Sequence, residues 1–455
     1  MKQFDYDSLE DLALSLPESI LYRKYSGDFD GELAEIERYE RTHEVIPALK
    51  KRLDLERRIA EGMKKDYSLT DADMIKRISK EYPHFTAETL EKCIDSGHAD
   101  HILKNGVRFF QNAAVSNILN CCGDILDAAE GRPVGKHTDS REENVRIMKE
   151  RGERAFRFRV KISLVPEIPA GKEGKTIRIH IPYPRECQSQ SEIKLISSSD
   201  PVRIDDALQR TAFIEAPAAH GKEYFVEFSY VNRAVYTRLD PEKVDKVQPD
   251  FYTGEQYPHI RFTPYLRALA KHITAGEENP LLRAKKIYEW ITKNVAYSYM
   301  REYMCLDSIA ENAALNMRGD CGVQAILFIT LCRICGIPAR WESGMCISKD
   351  SVGSHDWAQF YIAPYGWLYA DTSYSGGLYR KGLYELSDFY FGSIDCFRLV
   401  TCSDFQKQFS PEKRFLRYDP YDNQIGEAEF DDCGLYPDSI DHARTLVSSE
   451  EIFTK

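Results

Sequence analysis

The spacing of apolar residues changes abruptly near residue 156, and that change divides the chain. From about 28 to 150, apolar side chains recur three and four residues apart, as Leu33, Ile36 and Tyr39 do in GELAEIERYE. This spacing reads as helices. At AFRFRVKISLVP the period becomes two: Phe156, Phe158, Val160, Ile162 and Leu164 alternate with polar residues. That is the pattern of a strand with one buried face. KTIRIHIPYP repeats it through Ile177, Ile179 and Ile181, and KEYFVEFSYVNRAVY follows, with PAGKEGK and PAAHGKE as turns between them. The expected order is a helical domain over 1–150 and a small antiparallel β-sandwich over 155–240. AAEGRPVGKHTDSREEN, rich in Gly, Pro and charge, reads as their connection. No internal repeat is present.

Helix starts are marked locally. Thr70 with Asp73 three residues on, and Thr86 before AETLEKCI, have the form of N-caps. Past residue 250 helices and strands mix. Asn279 and Pro280 open ENPLLRAKKIYEWITKNVAY, which should bury Ala284, Ile287, Tyr288 and Ile291. MRGDCGVQAILFITLCRICGIPAR reads as a buried helix that begins at Cys321 and is stopped by Gly336, with Pro338 two residues later.

Bulk composition narrows the function classes. At 455 residues the chain exceeds a single core, and 43% apolar with 12% aromatic residues indicates a folded protein. A net charge of −11 supplies no general attraction to nucleic acid or anionic membrane, so neither is expected as a partner. No apolar run approaches the ~20 residues of a membrane span. The acidic start MKQFDYDSLEDLALSLPESI lacks the form of a signal peptide, so a cytoplasmic location with reduced thiols is expected. Twelve cysteines are too sparse for a disulfide scaffold. Cys332 and Cys335 form a C-x-x-C near Cys305 and Cys346, but no second pair completes a zinc site, and His84, His98 and His101 fit no ligand spacing. No metal and no cofactor are expected. Residues 406–455, acidic and aromatic, are expected as an extension packed on the last domain, without calcium-loop spacing.

Cys321 is the sharpest chemical candidate. A helix start lowers a thiol pKa through its unpaired N–H groups, and Gly319 and Gly322 keep side-chain bulk away. A cysteine nucleophile needs an imidazole and a group to hold it. His355 begins an alternating strand, HDWAQFYI, and Asp371 ends the next, GWLYA. A turn with an odd number of residues pairs Tyr361 with Trp367 and puts Asp371 on the face of His355; an even loop separates them unless a bulge intervenes. Asp356 points to the opposite face.

GDCGVQAILFITLCRICGIPAR, SHDWAQFYI and GWLYADTS, in this order over about residues 260–375, resemble the transglutaminase-like superfamily. The resemblance implies an α+β, papain-like core, here bounded at 250–405. By position it makes Cys321 the nucleophile, His355 the general base and acid, and Asp371 the orienting carboxylate. The implied reaction is attack on an amide carbonyl of a peptide or protein substrate to give a thioester. The oxyanion would be held by the Cys321 N–H and a second donor, for which Tyr297, Tyr299 and Trp290 are the candidates by position. Trp357, beside the histidine, would wall the site. A peptidase or amidase is the simplest outcome. An amine-transferring transglutaminase and a non-catalytic binding or scaffold protein on the same fold are the alternatives.

Overall fold

The computed structural model describes residues 6–132, 141–348, 351–415, 417 and 420–453; residues 133–140 of the expected connection lie outside these. The first region holds α1 (Glu18–Tyr25), α2 (Phe29–Thr42), α3 (Pro47–Asp66), α4 (Asp71–Ile78), α5 (Ala87–Asp95), α6 (Ala114–Cys121), α7 (Gly123–Ala129) and α8 (Arg141–Arg151). Both expected caps form. Thr70 accepts from the Asp73 N–H while Asp73 accepts from the Thr70 N–H, and Thr86 accepts from the Thr89 N–H.

Two features depart from an all-helical unit with its own core. A small antiparallel sheet, β1 (Tyr67–Leu69), β2 (His101–Lys104) and β3 (Val107–Gln111), sits among the helices. Met74, Ile78, Leu90, Phe110 and Ile118 form a separate cluster, but Leu55 and Ile59 of α3 and Val145 and Met148 of α8 pack into the main core of the C-terminal region. The boundary at 150 is therefore a change of period, not a break in packing.

The sandwich contains β4 (Glu153–Pro166), β5 (Thr176–Pro182), β6 (Gln190–Ser198), β7 (Val202–Ile204), β8 (Thr211–Pro217) and β9 (Tyr224–Val235). Alternation buries Phe158, Val160, Ile162 and Leu164 of β4 against Ile177, Ile179 and Ile181 of β5. Its edges are closed by strands from the far end of the chain. β17 (Glu427–Phe430) pairs antiparallel with β5, and β18 (Ile440–Ile452) runs along β4 from Ile440↔Pro166 to Ile452↔Ala155. The 406–455 extension thus completes the sandwich rather than only lying on the last domain. A long β4 left unpaired would present a row of free N–H and C=O groups, and β18 covers them.

The last region, with the rest of the molecule, makes the fold α+β. Here α12 (Cys321–Ile334) is the central element: every residue from Gly322 to Arg333 is buried, as a helix apolar on all sides requires. Around it lie α9 (Pro264–Ile273), α10 (Pro280–Asn294, capped by Asn279), α11 (Ile309–Asn316), α13 (Thr372–Arg380) and α14 (Tyr384–Phe389). Gly336, at φ +73, supplies the left-handed turn that ends α12. One side of α12 packs on an antiparallel sheet of order β15 (Phe391–Gly392), β14 (Gly366–Ala370), β13 (Val352–Ile362), β12 (Ala339–Ile347) and β16 (Arg398–Cys402). A short parallel pair, β10 (Ala296–Tyr297) with β11 (Arg318–Gly319), leads into Cys321.

The register of β13 with β14 is the odd one: Tyr361 pairs with Trp367 and Ile362 with Gly366, leaving a three-residue turn at 363–365. No described helix is long and apolar enough to cross a membrane.

Candidate active site

Strict alternation along β13 decides what the site can hold. Its pairing with β12 runs without a bulge from Ile347↔Val352 to Ala339↔Phe360. Asp356, Ala358, Phe360 and Ile362 therefore face α12, and the last three join its core. His355, Trp357 and Gln359 face the other way, where Trp357 packs with Tyr369 and Val400.

On that outer face the histidine and aspartate meet. His355 Nε2 lies 2.7 Å from Asp371 Oδ2, and both residues are buried. A carboxylate only accepts, so Nε2 carries the proton and the lone pair sits on Nδ1, which has no hydrogen-bond partner among the described residues. Asp371 also caps α13, accepting from the Tyr374 N–H at 3.0 Å. Arg398 Nη2 binds Asp371 at 3.1 Å and Asp395 at 2.7 Å, while the imidazole lies over the Tyr374 ring, centroids 4.3 Å apart. Burial alone would raise the Asp371 pKa, but the charges of His355 and Arg398 hold it well below the usual carboxylate range. Burial lowers the His355 pKa from 6.5 against the pull of Asp371. The imidazole is thus neutral at pH 7, and Asp371 is ionised.

Cys321 lies on the inner face. Asp320 caps α12 by accepting from the Val323 N–H at 3.0 Å, which fixes Cys321 at the first helical position. Its Sγ donates to Asp356 Oδ2 at 3.3 Å and makes no hydrogen bond to His355. Two sequence expectations are corrected here. The structure joins His355 to Asp371 but engages Cys321 with the neighbouring acid, because α12 packs on the face that Asp356 occupies. The helix start also does not leave a low-pKa thiol: burial, then the Asp356 and Asp320 carboxylates, push it well above its ordinary value. Gly322 is required by close approach, since a Cβ there would collide with the Tyr303 hydroxyl and the Asp356 carboxylate.

The other candidates separate. Tyr297 pairs beside Gly319 in the strand leading to Cys321, and its phenol pKa is raised first by burial and then by Cys321, so it lies within reach of that thiol's field. Tyr299 accepts from Asn120 Nδ2 at 2.9 Å and stands T-shaped to Tyr297. Trp290 packs on the main core from α10. Trp357 lies beside His355, with ring centroids 5.9 Å apart, and its indole N–H donates to Glu342 at 2.7 Å. Sequence reading missed Arg398, Tyr374, Tyr303 and Gln424. Tyr303 donates to the cap Asp320 at 2.6 Å, and Gln424 donates to Asp356 Oδ1 at 2.6 Å. One local signal was available: Asp356 is the single charged residue on the face of β13 that also carries Val352, Ala358, Phe360 and Ile362.

The helical region docks beside this site. Asn117 donates to Ser298 Oγ at 2.9 Å and accepts from the Tyr299 N–H, and Asp100 binds Arg301 and Arg318. A cavity of about 390 Å³ opens at that junction, lined by Arg261, Arg301, Arg318, Asp307 and Glu311 among others; Cys321 and His355 are not in its wall. Among the described residues, no group of three or more His, Cys, Asp or Glu could hold a metal ion.

Residues 267–372, which include Cys321, His355 and Asp371, match the transglutaminase-like superfamily. Over that span the chain is similar to the transglutaminase-like core. The matched span is under a quarter of the chain. An uncharacterised protein of Haemophilus influenzae is 28% identical over 140 residues, which span 26% of this chain and 38% of that protein, well under half of the curated relative's length. Among solved structures, a candidate cysteine protease from Cytophaga hutchinsonii aligns over 67% of this chain and 92% of its own, with 16% identity and a TM-score of 0.42. The periplasmic domain of TgpA from Pseudomonas aeruginosa aligns over 57% of this chain and 99% of its own, with 13% identity and a TM-score of 0.28. In this chain the sandwich and helical regions are joined to the matched span through shared packing.

Proposed function

We propose that the protein is a cysteine-dependent acyl-transfer enzyme, a peptidase or amidase acting on a peptide-like substrate. The observation that carries this is the buried His355–Asp371 pair at 2.7 Å with Nδ1 left open, one residue along the strand from the acid that holds the Cys321 thiol. Cys321 and His355 stand on opposite faces of β13 in the resting arrangement, so turnover requires the start of α12 and β13 to shift until the two meet; the thiol then leaves Asp356 and its proton passes to His355 Nδ1 as sulfur attacks an amide carbonyl. The oxyanion is met by the Cys321 N–H, with Tyr297, paired with Gly319 in the short strand pair that leads to Cys321, as the second donor. The C–N bond breaks as His355 returns the proton to the departing amine, leaving a thioester. Water, deprotonated by His355, then releases the acid and restores the thiol. Twelve unpaired cysteines support a reducing compartment, consistent with the cytoplasm.

The depressed His355 pKa and the raised Cys321 pKa make the resting pair neutral. His355 must be unprotonated to act as base, so kcat/KM should fall as pH drops through a value below 6.5. Above pH 8 it should stay level, because the thiol ionises only well above its ordinary value. A fall on the alkaline side near pH 8.5 would instead indicate a thiolate–imidazolium pair and contradict this assignment.

A non-catalytic binding protein is the second reading, favoured by the Cys321–Asp356 bond. Peptide amides offered in water enriched in oxygen-18, with an isotopically labelled amine present, distinguish the outcomes. Oxygen-18 in the new carboxylate, in excess of the His355→Ala variant, is expected; amine incorporation would make the protein a transglutaminase, and neither product would leave the binding role.

A further inference from the structure

Tyr374 is bonded at both ends, and between them its ring lies over the His355 imidazole. Its backbone N–H donates to Asp371 Oδ1 at 3.0 Å, and the other oxygen of that carboxylate lies 2.7 Å from His355 Nε2. The two rings have centroids 4.3 Å apart and are inclined by 30°. At the far end the phenol hydroxyl donates to Cys346 Sγ at 3.0 Å. The same sulfur receives Arg398 Nη1 at 3.3 Å, and Arg398 Nη2 returns to Asp371 Oδ2 at 3.1 Å. His355, Tyr374, Cys346, Arg398 and Asp371 thus close a cycle of contacts. The strand register makes room for it. Gly344 pairs with His355 and Cys346 with Gly353, so Cys346 shares the His355 face while two glycines beside the imidazole place no side chain there.

One hydrogen bond fixes a direction of the imidazole but leaves its plane free to turn about that bond, and the plane decides where the Nδ1 lone pair points. We propose that Tyr374 is the positioning residue that sets this plane, with Cys346 anchoring the phenol, so that Nδ1 keeps one direction for the incoming thiol proton. This role rests on the acyl-transfer reading of the same site. Asp371 holds both the imidazole and the Tyr374 N–H, so the three residues stay together in the shift that brings Cys321 to Nδ1. The phenol is confined further by Arg398 and by Arg141 of α8, whose guanidinium carbons stand 4.6 and 4.4 Å from its ring centroid. The charges acting on the imidazole itself are Asp371 just after β14, Arg398 of β16 and Asp395 between β15 and β16. Tyr374 and Cys346 are uncharged at pH 7, because burial pushes both pKa values up.

The test follows His355 in the full chain through the Cε1–H signals of its eleven isotopically labelled histidines, and measures in parallel the acylation of Cys321 by an activated acyl ester. Tyr374→Leu removes the ring. Acylation at saturating ester should then slow by about 100-fold, as a misplacement of about 1 Å does, with the half-saturating ester concentration unchanged. The imidazole also becomes wetter, and burial is the main cause of its lowered pKa, so that pKa and the acid limb of the acylation profile should both rise toward 6.5. Tyr374→Phe keeps the ring and loses only the bond to sulfur. Acylation about threefold slower and an unmoved His355 pKa are expected. Cys346→Ala should slow acylation at least as much as Tyr374→Phe, and the double variant no more than Cys346→Ala, because hydroxyl and sulfur act as one contact. Unaltered rate and pKa in Tyr374→Leu, a Tyr374→Phe variant as slow as Tyr374→Leu, or a double variant whose loss is the product of the two single losses would each overturn the role. Should Tyr374→Leu unfold, Tyr374→Phe, Cys346→Ala and their double variant decide it. Absence of any acyl adduct in the unaltered chain would instead overturn the acyl-transfer reading, and the His355 pKa in Tyr374→Leu then judges the tyrosine by itself.

Discussion

Cys321→Ala is expected to reduce amide cleavage by about 10⁴-fold or more, because the acyl group then has no sulfur to occupy and only orientation and the oxyanion donors remain. The substitution should barely disturb the fold. Cys321 sits at the first position of α12, whose start is fixed by the Asp320 cap and not by the thiol. Asp356 would lose one hydrogen bond and keep that from Gln424, a cost of about 1 kcal/mol. Cleavage of the best peptide amide and a thermal melt, measured together, check this. Activity retained in Cys321→Ala would remove sulfur 321 from the chemistry, whereas a collapse of the melting temperature would leave the lost activity explained by unfolding.

Arg398→Met carries the largest expected effect on stability. The guanidinium is buried between Asp371 and Asp395, binds both through Nη2, reaches Cys346 Sγ through Nη1 at 3.3 Å, and stands over the Tyr374 ring at 4.6 Å. Removing it leaves two buried carboxylates without their cation, a change that costs about 3–5 kcal/mol in comparable buried pairs. The urea midpoint at pH 7 should fall accordingly, and Asp395→Asn should restore part of the loss by removing one of the stranded charges.

The pH dependence has a definite sign. Asp371 has a folded pKa below its unfolded value near 3.8, so its contribution is present above that value and is lost as pH falls through the folded pKa. His355 also has a lowered folded pKa, so the unfolded chain takes up a proton first and stability begins to decline as pH falls below 6.5. In Arg398→Met the Asp371 pKa rises toward its unfolded value near 3.8, so the variant, already less stable at pH 7, should lose less further stability through this group as pH falls below that value. An unchanged midpoint at pH 7 would mean that the cluster contributes nothing to folding.

Much of the local structure was legible because its causes are local. Thr70, Thr86 and Asn279 cap helices through side chains two or three residues away, and Gly336 ends α12 by its backbone freedom. The odd register that places Asp371 against His355 follows from alternation along two adjacent strands and one turn. The parts that were not legible depend on which surfaces meet. Alternation put Asp356 and His355 on opposite faces of β13, but only the packing of α12 decides which of them receives Cys321. Arg398 lies in RLVTC, where nothing nearby indicates a carboxylate partner 27 residues earlier in the chain. β18 was hidden by its polar alternation, IDHARTLVSSEEI, which suits a strand needed chiefly for its backbone along the edge of β4. Gln424 sits in a segment with no periodicity to read.

The catalytic role of Cys321 with His355 is tested most directly by catching the acyl-enzyme. The full chain is mixed with an activated acyl ester, quenched in acid after a short delay, and digested for mass spectrometry. The expected result is an adduct of the acyl mass on the Cys321 peptide, removed by hydroxylamine, and at least about 100-fold less abundant in His355→Ala. Acylation spread evenly over the other cysteines, or equal acylation of Cys321 with and without His355, would contradict it.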